Sequence, residues 1–290
     1  MGRVLAPDIE DPHRTREFVF TDRDFQVLRK LVNQYTGISL SDAKRELVYN
    51  RLSRRLRYHK IKSFRHYCDL LQSDSDGQEI IHFTNAITTN LTAFFRESHH
   101  FDFLKTNILG SYVKNGGNAS RIRLWSAGCS TGEEPYSIAM TIKGRGDIAD
   151  DADIRILATD LDSTVLETAK KAAYPQEKLK CIPPHQAKRW FLKGSERNTG
   201  LVQVKPAVRS LVAFRRLNLL DDWPMRGPFD AIFCRNVVIY FDKATQQQLV
   251  DRFADMLVDG GFLFLGHSES LFKVSERFCL VGQTIYQKTK

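Results

Sequence analysis

The chain has 290 residues, 42% of them hydrophobic and 27% charged, with a formal net charge of +9. That length supports one large core, or a large domain with a smaller companion, and the excess of cations favours acidic partners: nucleic acid, an anionic membrane or an acidic protein surface. Cys68, Cys129, Cys181, Cys234 and Cys279 form no C-x-x-C pair, which argues against a disulfide framework or zinc site and for reduced thiols in the cytoplasm; no apolar run is long enough to span a bilayer, and the start lacks the apolar core of a secretion signal.

Residues 1–20 are polar, carry Pro7 and Pro12, and read as a loose arm. From Asp22 to about Phe103 apolar residues recur at helical spacing: Phe25, Leu28, Leu31 and Val32, then Leu47, Val48, Leu52 and Leu56. Gly37, within Asn33 to Ser41, marks a helix–helix turn. An all-α domain over 21–103 follows from this pattern.

After Gly116-Gly117 the pattern changes. Strands are predicted at Ile122–Ser126, Ile154–Thr159, Leu211–Phe214, Phe229–Cys234, Gly261–Gly266 and Gln283–Gln287. Helices are predicted at Glu133–Lys143, Ser163–Ala173 and Lys243–Met256. Such alternation implies an α/β domain over 104–290, a doubly wound, mostly parallel Rossmann-like sheet with helices on both faces. Residues 174–210 interrupt it with Pro175, Pro183, Pro184, Gly194 and Gly200, and read as an inserted small β subdomain. Ser195–Thr199 is a plausible hairpin turn there, and Leu201–Val204 an edge strand able to accept an extended peptide.

Four segments bear on chemistry. In the first, Ile122 to Ser137, Gly128 and Gly132 allow a tight turn and close approach to a ligand. Glu133 and Glu134 then occupy the first helical turn, the wrong place for a pyrophosphate but a good one for an ammonium or sulfonium group. A plain strand–helix turn, with Glu133 favouring the helix dipole, explains the same residues equally well. In the second, Asp160 closes a strand where an acid takes both hydroxyls of an adenosine ribose, whereas Asp162 suits a helix cap. In the third, Leu217-Asn218-Leu219-Leu220 offers an edge for adenine. In the fourth, Phe229 to Phe241, a strand delivers Arg235-Asn236 at its carboxyl end; a structural ion pair for Arg235 and core packing for Tyr240 are the plainer readings. His99-His100 are not spaced for a metal, and no Ser-His-Asp or Cys-His pattern calls for a covalent mechanism.

Several strings, in order between Phe25 and Tyr286, resemble signatures of the CheR-type chemoreceptor methyltransferases. They are Asn85 to Phe101 (with Asn90-Leu-Thr92 and Arg96), Trp125 to Ser137, Phe233 to Phe241, and Gly266-His-Ser-Glu269. Lys44 to Arg57 looks like the basic helix of that family. The resemblance implies an enzyme that uses S-adenosyl-L-methionine, leaves S-adenosyl-L-homocysteine, needs no metal and esterifies receptor glutamates. It assigns Asn90, Thr92, Arg96, Gly128, Glu134, Asp160, Asn218, Leu219, Cys234 and Arg235 to cofactor binding, with Cys234 and Arg235 as the floor of the site. Arg96 and Tyr240 would line the reacting carboxylate.

The implied partners are the cytoplasmic methylation helices of transmembrane chemoreceptors, met by a monomer without membrane insertion. At helical spacing Lys44, Arg51 and Arg55 share a stripe with Arg54 beside it. A solvated basic face is the ordinary fate of such a run; the resemblance makes it the receptor-docking face of the all-α domain. A receptor carboxyl-terminal peptide on 174–210 is implied for some members only. Methylation of nucleic acid is disfavoured, because Arg235-Asn236-Val237-Val238 stands where base-amino methyltransferases carry an Asn- or Asp-Pro-Pro-aromatic string. A non-catalytic receptor-binding module is the remaining alternative.

Overall fold

The computed structural model describes residues 16–116, 121–272 and 274–289. The expected loose arm thus lies, up to residue 15, outside the described residues. Its last five residues differ from expectation: Phe18 and Phe20 are buried in the first core, their rings against Phe64.

That core joins four helices: α1 (Asp22–Thr36), α2 (Arg45–Tyr58), α3 (Phe64–Gln72) and α4 (Gln78–Ile87). Thr21 and Asp24 cap α1 reciprocally, each side chain accepting the other's backbone N–H. Gly37 ends it in the left-handed region, with φ 70°. Phe25, Leu28, Leu31 and Val32 are buried on α1, and Val48, Leu52 and Leu56 on α2, the faces the spacing predicts.

Two arginines of α2 turn inward. Arg55 donates from Nε to Glu79 Oε1 on α4 at 2.9 Å, with its Nη2 on the other oxygen. Tyr67 and His59 reach the same buried carboxylate, at 2.6 and 2.7 Å. Burial alone would raise Glu79, but Arg55, Tyr67 and His59 together hold it below the usual range. Arg51 donates to the carbonyls of Ile87 and Thr88, at the negative end of α4, and to Thr89 Oγ1.

The second domain begins with α5 (His99–Phe103), a π turn over Leu104–Ile108, and α6 (Leu109–Lys114). Phe94 and Phe101 already belong to its core, ahead of the expected boundary at 103. There follow β1 (Ile122–Ala127), α7 (Glu133–Lys143), β2 (Ile154–Asp160) and α8 (Ser163–Lys171). The insertion holds β3 (Ala173–Pro175), α9 (Pro184–Trp190), β4 (Phe191–Lys193), β5 (Leu201–Val204) and α10 (Pro206–Arg209). The chain returns through β6 (Val212–Arg216), β7 (Phe229–Cys234), α11 (Lys243–Met256), β8 (Leu257–Leu265), β9 (Phe278–Gly282) and β10 (Ile285–Lys288).

The main sheet has seven strands in the order β6-β2-β1-β7-β8-β10-β9. The first five are parallel neighbours, and β10 runs antiparallel to β8 and β9. One apolar cluster, containing Leu124, Ile156 and Phe233, fills one side of the sheet. A second, containing Trp125, Ile232 and Leu263, fills the other, as alternation along a doubly covered sheet requires.

Three expectations need correction. β8 starts at Leu257, not Gly261: the strand runs through Gly260 (φ 75°) and absorbs a bulge against β7. The edge strand β9 has no counterpart in the sequence reading. Leu201–Val204 is not an edge, because β5 is the middle strand of a three-stranded antiparallel sheet, β3-β5-β4. The predicted turn at 195–199 does join β4 to β5, through a 3-10 turn at Glu196–Asn198.

Removing one partner of a buried ion pair leaves the other uncompensated. Arg55→Met should therefore lower the free energy of unfolding by about 3 kcal/mol in urea titration. Arg54→Met, at an exposed position on the same helix, should change it by less than about 0.5 kcal/mol. Equal effects would show that the Glu79 cluster does not hold the domain.

Candidate functional site

β1 is the switch point of the sheet: from it the chain winds outward through β2 and β6 on one side, then crosses to β7 and β8 on the other. Ligands of open α/β sheets bind beyond the carboxyl ends of such strands. A cleft opens there, and the all-α domain forms its opposite wall.

Asp160, the last residue of β2, lies at its base. Its Oδ2 accepts the Ser130 N–H at 2.7 Å and its Oδ1 the Asp162 N–H at 2.9 Å. Burial pushes its carboxyl up to about 6 despite those bonds. Each oxygen keeps a lone pair for a ligand. The loop after β1 comes close because Gly128 has φ 85° and no side chain; a Cβ there would stand 2.4 Å from Val237 Cγ2.

A buried ionic cluster forms the floor. Arg235, just past β7, donates to Glu134 Oε2 on α7 at 3.1 Å and to the carbonyl of Arg96. The Glu97 carboxylate lies 3.2 Å from its Nη2. The two acids respond oppositely. Burial raises Glu134, and neither Arg235 nor the Ser126 hydroxyl fully offsets it. Burial would also raise Glu97, but Arg235 and the His267 N–H more than compensate, leaving it lowered.

The linker from α4 to α5 crosses the cavity. Asn90 Nδ2 donates to Asp162 Oδ2 at 2.7 Å, and Ser130 Oγ donates to the Asn90 carbonyl at 2.9 Å. Asp162 also caps α8 through the Thr164 N–H, the role its position suggests. Thr92 and Arg96 line the wall; Arg96 donates to the Leu91 carbonyl at 3.1 Å, and its side chain is a third exposed. Tyr240, on a 3-10 turn over Val238–Tyr240, also lines the cleft, with its hydroxyl unbonded among the described residues. Asn218 and Leu219 close another wall, where Asn218 Nδ2 reaches the Tyr35 carbonyl at 3.2 Å.

The cleft therefore gathers Asn90, Thr92, Arg96, Gly128, Glu134, Asp160, Asn218, Leu219, Arg235 and Tyr240, and also Lys44. Cys234 is different: fully buried at the end of β7, it faces the core with Ala127 and Leu265 and does not line the cavity. Strand alternation explains this, since Cys234 and Arg235 point to opposite sides. Of the four basic residues expected to meet a partner, Arg51 is bonded to Ile87, Thr88 and Thr89, and Arg55 to Glu79. Arg54 is exposed and has no ion-pair partner among the described residues, and Lys44 is exposed at the cleft.

Sequence reasoning assigns no role to Ser130, Glu97 or Glu269, and names Asn236 only beside Arg235 at the strand end. Ser130 and Asn236 adopt positive φ, 49° and 60°, at the cavity wall. The half-buried Glu97 and the buried Glu269 are acids bonded to backbone N–H groups around it. Glu269 lay within a motif already singled out, Gly266 to Glu269, but only its partners reveal a role. Among the described residues no cluster of His, Cys, Asp or Glu could hold a metal, and no helix is long and apolar enough to cross a membrane.

This strand order, with a glycine loop after β1 and an acid ending β2, is that of a Rossmann-like methyltransferase. The family description "CheR methyltransferase, SAM binding domain" matches residues 90–287, and "CheR methyltransferase, all-alpha domain" matches residues 23–88. The chemotaxis protein methyltransferase of Escherichia coli K12 is 44% identical over 95% of this chain and 94% of its own length. Chemotaxis protein methyltransferase 2 of Pseudomonas aeruginosa is 45% identical over 93% and 95%, and the chemotaxis protein methyltransferase of Klebsiella aerogenes 47% identical over 93% and 91%. The chain belongs to the CheR methyltransferase family and carries both of its domains.

Proposed function

We propose that this methyltransferase esterifies glutamate side chains on the cytoplasmic methylation helices of transmembrane chemoreceptors, using S-adenosyl-L-methionine. One observation carries the reading: a single interdomain cleft holds acidic groups suited to the cofactor, and at its wall an arginine and an unbonded tyrosine hydroxyl suited to a carboxylate. The chemotaxis methyltransferases to which the chain is 44–47% identical support the receptor as substrate.

The donor set fits the cofactor. Asp160 has one free lone pair on each oxygen for the two ribose hydroxyls. Glu134, raised by burial, gains from the cationic methionyl end. Asn218 and Leu219 offer the adenine edge, and Asn90, Thr92, Gly128 and Arg235 close the remaining surface.

When bound, S-adenosyl-L-methionine supplies an electrophilic methyl on a sulfonium sulfur. A glutamate is already ionised at neutral pH, with a pKa of about 4.3, so no general base is needed. The protein's task is positional. Arg96 orients the carboxylate by charge-assisted hydrogen bonds, Tyr240 fixes it through its hydroxyl, and the interdomain cleft excludes water. Alignment of this kind supplies at most about 7–11 kcal/mol. The all-α domain, the cytoplasmic setting and monomeric action belong to the same reading, with Arg54 and Lys44 meeting an acidic helix. A receptor carboxyl-terminal peptide would have to extend β4 or β3, since β5 is paired on both sides.

The decisive experiment incubates the protein with methyl-labelled cofactor and receptor-containing membranes, then adds base. Carboxyl esters release volatile methanol. Label that is stable to base, or absent, would sink the proposal.

Two narrower outcomes follow. The ribose hydroxyls favour ionised Asp160, so binding lowers a carboxyl that burial has raised to about 6. Cofactor affinity should therefore be full above pH 6 and weaken as pH falls through that value, with proton release on binding in the same window. Calorimetry from pH 5.5 to 7.5 reads this, and a flat profile would remove Asp160 from the ribose. Arg54→Glu should raise KM for receptor by about tenfold or more while leaving cofactor affinity unchanged; an unaltered KM would place docking elsewhere.

A further inference from the structure

The turn from Gly266 to Glu269 has no part in the proposed chemistry, yet it makes specific bonds to the residues that do. Glu269 is buried, 6% exposed, and its carboxylate meets backbone N–H groups rather than a cation. Oε2 accepts from Gly266 at 2.5 Å and from Asn236 at 2.8 Å. Oε1 accepts from Ile239 at 3.1 Å. Asn236 holds a left-handed conformation, φ 60°, and Ile239 is the middle residue of the 3-10 turn that carries Tyr240. One carboxylate thus fixes both ends of the segment between β7 and Tyr240.

The packing is as close as the bonding. A Cβ at Gly266 would stand 2.3 Å from Asn236 Nδ2 and 2.7 Å from its backbone nitrogen. On its other side the turn reaches the neighbour of Arg96: the His267 N–H donates to Glu97 Oε1 at 3.2 Å. Phe95 and Glu97, which flank Arg96, both have positive φ, 52° and 57°. Strained backbone of this kind persists only where surrounding contacts over-determine it.

We infer that Glu269 is a positioning residue, whose carboxylate holds the Asn236–Tyr240 segment so that the Tyr240 hydroxyl meets the substrate. The inference rests on the proposed contact between Tyr240 and the glutamate carboxylate. Charge and shape are both needed. A glutamine would keep one acceptor oxygen but turn an NH2 toward a backbone N–H, so either the Asn236 end or the Tyr240 end would be released.

The test is a double-mutant cycle in the full-length protein, with receptor membranes as substrate. Glu269→Gln should lower kcat by about 10- to 100-fold, the effect of a small misplacement of a reacting group, with little change in KM for receptor. Glu269→Asp, which keeps the carboxylate, should recover part of the loss. In a Tyr240→Phe background the same substitution should add far less than it does alone. If the two losses instead multiply to within about twofold, Glu269 does not act through Tyr240 and the inference falls. A Tyr240→Phe enzyme with full kcat overturns the reading of Tyr240 itself, an outcome separate from the cycle. If Glu269→Gln does not fold, the cycle is run with Glu269→Asp against the same criterion.

Discussion

The architecture depends on a buried guanidinium. Arg235 is 2% exposed at the side chain and sits where β7 ends, α7 begins and the interdomain linker crosses. A charge so placed must be paired, and breaking such a pair costs about 3–5 kcal/mol. The pairing draws Glu134 from α7, and Glu97 and the Arg96 carbonyl from the linker, onto one point. Phe101 adds a ring face 5.6 Å away. With two acids competing for one cation, burial decides the split. Glu97, also bonded to the His267 N–H, is lowered, whereas Glu134 is raised. Glu134 is therefore the acid with electrostatic capacity to spare, and on the proposed reading it faces the positive end of the cofactor.

Around that point the backbone is held away from its preferred conformations. Phe95, Glu97, Ser130 and Asn236 all have positive φ, and none is glycine. Each is compensated locally: the Phe95 N–H by Ser137 Oγ, Glu97 by Arg235, the Ser130 N–H by Asp160 and the Asn236 N–H by Glu269. Three of the four compensators are ionisable side chains. The polar residues at the cleft thus hold its backbone as well as line its surface, and substitutions there will mix loss of chemistry with loss of shape. That mixing is why double-mutant cycles are more informative than single alanine replacements at this site.

The sequence made the parallel strands legible because β1, β2 and β7 are short apolar runs between turn residues, and it placed α1 and α2 by helical spacing. It made most of the cleft legible for a related reason: Gly128, Asp160 and Arg235 all sit at strand ends, where the sheet delivers them. The failures share a cause. Leu201–Val204 reads as a strand, but which neighbours pair with it depends on Tyr174 and Phe191, far apart in the chain. The basic stripe of α2 has the right periodicity for a surface, yet Arg51 and Arg55 find partners on α4 at sequence separations of 36 and 24. Charge counts cannot separate a docking cation from one neutralised by a distant carboxylate or helix end. Cys234 turns from the cleft by one step of strand alternation.

The all-α domain also helps build the cleft. The turn after α1 sits over it: the Ser39 N–H donates to the Tyr240 carbonyl at 2.8 Å, and Asn218 reaches the Tyr35 carbonyl. Gly37 is favoured at this junction by its φ of 70°, and a Cβ there would press on the Leu220 side chain, 1.9 Å from its Cδ1. Thr88 and Asn90, at the root of the linker, are bonded to Asp162, two residues beyond Asp160. The helix that would meet a receptor, α2, is in turn fastened to the linker through Arg51 and Thr89. A displacement of α2 would therefore be felt at Asn90 and, through the turn at Ser39, at Tyr240. On the proposed reading, docking and alignment of the glutamate are mechanically joined, because the same short segments carry both.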